Sequence, residues 1–107
     1  MDGVEVAKSP VIVLPDKGEA SRMIAAKIRK TREALSRINS AGGYRAPELN
    51  AGFEIEIDVL SSLLREGVIK TWDLSRELHK KYGENYSVEI FNQSCAFAEE
   101  ICGEHSA

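Results

Sequence analysis

The sequence predicts a mainly α domain: a short N-terminal strand or arm, then about four helices in a small bundle or orthogonal array. Three observations carry that prediction. Apolar residues recur at helical spacing in separate stretches, and glycine or proline marks most of the breaks between them. Charge is also sorted by stretch, +4 over residues 19–40 against −5 over residues 84–107, within a net charge of −3. Helices of opposite charge can pack on one another or on copies of one another.

Taken in order, residues 1–10 end in Ser9-Pro10 and read as a flexible arm. Val11-Ile12-Val13-Leu14 is β-branched and stops at Pro15, so a short strand is expected. A lone strand leaves backbone groups unpaired. Two partners suggest themselves: Val4-Glu5-Val6 across the intervening turn, or the same strand of a second subunit. Asp16 followed by Glu19 is a capping-box pattern, and Ile24, Ile28, Thr31, Leu35 and Ile38 then form a 4-3-4-3 seam that ends at Gly42-Gly43.

The segment Phe53–Val59 is ambiguous. It alternates apolar and acidic residues as a strand does, which would make the domain α+β. Wound as a helix, however, Phe53, Ile57, Leu60 and Leu64 line up and no break separates Asp58 from Leu60, so one helix from about Asn50 to Gly67 explains more residues. Val68-Ile69 reads as a linker tucked into the core. Thr71 is placed to cap a helix over Trp72–Tyr82 that Gly83 stops. Ser87 is placed to cap a last helix to about Cys102, with Tyr86 stapled onto Phe91. That helix carries two adjacent apolar stripes, Val88, Phe91, Cys95, Ala98, Cys102 and Ile90, Ser94, Phe97, Ile101, a wide arc for a small monomer to cover.

Length and composition bound the function. At 107 residues with 43% hydrophobic and 29% charged residues the chain is one domain, residues 1–107, with an ordinary core. No purely apolar run is longer than the four residues of Val11–Leu14, so no membrane span is expected. Met1–Val6 lacks the basic start and apolar centre of a secretory signal, so the expected location is cytoplasmic. Cys95 and Cys102 are the only cysteines. On one helix they stand too far apart to bridge, and with His105 they match no common zinc spacing, so no metal and no cofactor are expected.

The candidates that remain are surfaces. Arg22, Arg29, Lys30 and Arg37, with Lys27 and Arg32, form the basic face of the first helix, suited either to a phosphate backbone or to an acidic partner. Glu56 stands out as a carboxylate inside an apolar arc. A salt bridge to the basic helix is its expected role, because no second acid, base or nucleophile is spaced to work with it. Trp72, Tyr82 and Tyr86 bracket the third helix and are expected in the core or partly so, with a binding patch that makes Trp72 a candidate contact residue as the alternative. Phe91, Phe97 and Ile101, on the wide arc of the last helix, are candidate contacts for a second subunit.

The helices after Asn50 also have the rhythm of a helix-turn-helix, with Leu63–Thr71 leading into Trp72–Tyr82. In the place of a reading helix, though, Ser87–Cys102 presents Glu89, Glu99 and Glu100, with Asn92 and Gln93 as its good base readers. Phosphates repel such a helix. The likeness is one of rhythm and names no family. The expectation is therefore a small non-enzymatic interaction or regulatory protein acting through helical surfaces as a homodimer or with a protein partner. A helix-turn-helix-like DNA-binding regulator is the alternative.

Overall fold

The computed structural model describes residues 10–15, 18–40 and 47–104. Along the chain run β1 (Val11–Val13), α1 (Glu19–Ser40), α2 (Pro47–Glu66), β2 (Val68–Lys70), α3 (Thr71–Tyr82), a single 3₁₀ turn (Gly83–Asn85) and α4 (Val88–Glu104). The mainly α expectation holds. The arm before Pro10, the Asp16 cap and the Gly42-Gly43 stop lie outside the described residues.

The ambiguous segment is helical. α2 buries Ala51, Ile55, Val59, Leu60 and Leu63, and it starts at Pro47 rather than near Asn50. Proline is well placed there, since the first helical turn has no use for its missing N–H. Its apolar arc is broad because α1, α4, β2 and the 3₁₀ turn all pack against it. A helix covered on several sides buries neighbouring stripes at once, and between Phe53 and Val59 that width imitates strand alternation.

β1 takes a partner that the sequence did not suggest: it pairs antiparallel with β2, Val11 opposite Lys70, Ile12 opposite Ile69 and Val13 opposite Val68. Val4–Val6, one of the expected partners, lies outside the described residues. The segment read as a tucked linker is thus the missing strand. Gly67, at φ +79°, turns the chain from α2 into β2, its N–H donating to the Leu63 carbonyl at 2.7 Å while its carbonyl accepts from the Leu14 N–H at 2.8 Å. Ile12 and Ile69 face the core and are buried.

Thr71 corrects a second expectation. It is the first helical residue of α3, not its cap, and Lys70 in the cap position makes no side-chain bond. The fully buried Thr71 instead donates twice to the Pro10 carbonyl, from its N–H at 2.8 Å and its hydroxyl at 3.2 Å. This clamps the strand pair to the start of α3. Gly83, at φ +59°, ends α3 as expected. Ser87 caps α4 as expected, its Oγ accepting from the Ile90 N–H at 3.2 Å, and the Tyr86 and Phe91 rings meet at 6.3 Å.

The core joins Ile24 and Ile28 of α1, Ile55, Val59, Leu60 and Leu63 of α2, Leu78 of α3 and most of the apolar arc of α4. Phe91, Ser94, Cys95, Ala98, Ile101 and Cys102 are all buried, Ile90 and Phe97 half-buried. The fold thus gives β1 a partner within the chain and covers most of the α4 arc, leaving Val88 53% exposed.

Candidate interaction surfaces

α1 is buried at Ala20, Ile24, Ile28 and Thr31, so its two long flanks remain open on either side of that seam. On one flank, Ala25, Arg29, Arg32 and Ser36 follow each other at helical spacing beside Ser61, Leu64 and Arg65 of α2. Between the two helices lies an open groove of about 740 Å³. Its floor is Ala25, Ile28 and Leu64; its rim carries the guanidinium groups of Arg29, Arg32 and Arg65, with Glu33 as the one acid. A shallower hollow continues along α1 past Arg32 and Ser36 to Leu35, Asn39 and Ser40.

A second groove, of about 380 Å³, opens between the first half of α2 and the start of α4. Leu49, Phe53 and Ile90 make its floor, and Glu48, Glu56 and Glu84 stand around it. The molecule thus carries two apolar grooves rimmed by opposite charge.

The expected salt bridge of Glu56 to the basic helix is present: Lys27 Nζ lies 3.6 Å from the carboxylate. The same ammonium sits 5.4 Å above the Phe97 ring, so Lys27 ties α1 to both α2 and α4. Arg22 is held by Glu19 at 2.8 Å at the start of α1. Arg29 lies on the rim of the basic groove, whereas Lys30 and Arg37 are exposed elsewhere on α1.

Trp72 corrects the expectation of a core aromatic, being 65% exposed at the start of α3. Phe91 and Ile101, candidates for contact with a second subunit, are core residues beyond a partner's reach in the folded chain. Reading the sequence put Arg32 on the basic face of α1 and Leu64 on the apolar line of α2, but made neither of them, nor Arg65, a groove residue. The spacing of Ala25, Arg29, Arg32 and Ser36 is a readable stripe, but its alignment with Leu64 and Arg65 belongs to the tertiary fold.

Other polar groups tie elements together. Asp58 of α2 accepts from Lys81 Nζ at 3.0 Å and from the Tyr82 hydroxyl at 2.6 Å, clasping α3 to α2. Burial, and then that bond to Asp58, push the Tyr82 hydroxyl far above the usual phenol range. Tyr86 shares a 2.7 Å hydrogen bond with Ser75, and burial raises its hydroxyl too. Burial, helped by the charge of Glu99, pushes the Cys95 thiol up to about 12, and burial raises Cys102 as well. Neither is a nucleophile near neutral pH on these terms. Among the described residues no three His, Cys, Asp or Glu side chains gather as a metal site, and no helix is long and apolar enough to cross a membrane. His105 lies outside the described residues.

α4 faces outward with Val88, Glu89, Gln93, Ala96 and Glu100. This surface has no cation to seat a phosphate backbone. Comparison with known protein families, curated proteins and solved structures found no match.

Proposed function

We propose that this chain is a non-enzymatic interaction module that holds an acidic, amphipathic helix of a partner protein in the groove between α1 and α2. The observation that carries the reading is the combination in that groove of an apolar floor, Ala25, Ile28 and Leu64, with three arginines on its rim. Arginine suits this place because its planar fork meets carboxylates two bonds at a time. Exposed ion pairs of this kind contribute only about 0–1 kcal/mol each, so they orient the partner while the floor supplies much of the affinity.

The hollow running on to Ser40 sets the expected length. From Ala25 to Ser40 the helix advances about 22 Å at 1.5 Å per residue, room for a partner helix of roughly four turns. Its apolar side chains would recur every three or four residues, with Glu or Asp on both flanks. A nucleic-acid backbone would engage the rim and leave the floor unused, while the exposed glutamates of α4 would repel it.

The test is a titration of isotope-labelled protein with a synthetic amphipathic helix bearing leucines on one stripe and glutamates beside it, against the same peptide with lysines for glutamates. The acidic peptide is expected to shift the backbone signals of residues 25–36 and 61–65. Arg29→Glu with Arg32→Glu is expected to weaken binding at least about tenfold. Shifts confined to another face, or duplex DNA binding along α1 with a steep salt dependence, would overturn the reading.

A further inference from the structure

We infer that this chain self-associates, the basic outer turns of α1 in one copy docking into the acid-rimmed groove of a second copy. This inference goes beyond the partner groove and uses a different flank of α1. After Thr31 no residue of α1 is fully buried. Leu35 and Ile38 are half-buried and neither joins the core cluster among the described residues. Lys30, Ala34, Arg37 and Ile38 follow each other at helical spacing, so two exposed cations flank the apolar side chains.

The acid-rimmed groove has the complementary character. Leu49 is 47% exposed and Phe53 half-buried, and neither joins the core cluster among the described residues. Glu48 and Glu84 are exposed at its edge. Gly52 leaves its floor open: a Cβ there would meet Ile90 Cγ1 at 3.7 Å, an ordinary contact, so packing does not demand a glycine in mid-helix. Each molecule already shows the same pairing in miniature, with Lys27 of α1 on Glu56 of α2 at 3.6 Å.

Ser40 and Pro47 are seven residues apart, so at most about 25 Å of chain separates the outer turns of α1 from the head of α2. A twofold arrangement that brings each basic patch onto the other copy's acidic groove closes the assembly as a dimer, with no open-ended filament.

Sedimentation of the whole chain over a concentration series, at low and high salt, tests this. A monomer–dimer equilibrium favoured by low salt is expected. Glu48→Lys with Glu84→Lys, or Lys30→Glu with Arg37→Glu, is expected to weaken it at least about tenfold, and mixing the two reversed proteins to restore a heterodimer. Gly52→Leu, which fills the floor while favouring the helix, is expected to abolish the dimer without lowering the melting temperature. A chain monomeric at every concentration and salt overturns the inference. So does a dimer indifferent to these variants, or a charge reversal that mixing fails to rescue. Each variant leaves Arg29, Arg32 and Arg65 in place, so peptide binding in the other groove is read separately.

Discussion

α4 and the outer half of α1 both look amphipathic in the sequence, yet the fold uses them in opposite ways. α4 lies across the core and hides Phe91, Cys95, Ala98, Ile101 and Cys102 within its own chain. α1 is buried only as far as Thr31, and its last turns carry Leu35 and Ile38 away from the core with arginines and a lysine alongside. The wider stripe belongs to the more self-contained helix. Apolar width therefore says little about association until one knows what already covers it; charge placed beside a half-covered stripe is the better sign.

The largest expected effect separates the two regions directly. Phe91 is fully buried at the start of α4, against the Tyr86 ring. Phe91→Ala is expected to cost about 3–5 kcal/mol in the free energy of denaturant unfolding, enough to leave a domain of this size marginal. Leu35→Ala and Ile38→Ala, read the same way on dilute protein, are expected to cost about 1 kcal/mol or less, since little packing is lost. Equal costs would erase the distinction.

Cys95 gives the interior of α4 a chemical probe. With its thiol pushed up from 9.0 to about 12, the thiolate fraction near neutral pH falls roughly a thousandfold, and labelling by a thiol reagent should be suppressed until the chain unfolds. The sign for stability follows. The proton is held more tightly in the folded state, so this contribution is complete below pH 9.0 and is lost as pH rises towards about 12. Alkaline unfolding in that window should be softened in Cys95→Ala once its own cavity cost is subtracted. Rapid native-state labelling of Cys95 would show that α4 opens more readily than its packing indicates.

Much of this fold was legible because it is local. The seam of α1, the Ser87 cap, the Tyr86 staple and the Gly83 stop each rest on residues within a few positions of one another. Even Phe53–Val59 resolved towards helix because its pattern continues unbroken into Leu60–Leu64. What failed was pairing at a distance. Val68-Ile69 is too short to announce a strand, and nothing near it in sequence points to Ile12; Thr71 looks like a cap until Pro10 is brought against it. The basic groove failed for the same reason, since Arg65 meets the α1 stripe only in three dimensions. Glu56 was the exception: a carboxylate among apolar residues requires a cation, and the basic helix was the evident donor.

Lys27 stands where the two regions join, and it supports the smallest expected effect. It lies beside the buried seam of α1, paired with Glu56 at 3.6 Å and lying over Phe97 of α4 at 5.4 Å. Both partners keep contact with solvent, the lysine side chain 41% and the glutamate 22% exposed, so screening holds the pair to about 0.5–1 kcal/mol. Lys27→Met keeps an apolar stem over Phe97 and removes the charge; Glu56→Gln keeps the shape and removes the other. A double-mutant cycle with these two should return a coupling of about 0.5 kcal/mol that shrinks further as salt is added. A coupling several times larger and indifferent to salt would mean that the pair is sealed from water where α1, α2 and α4 meet.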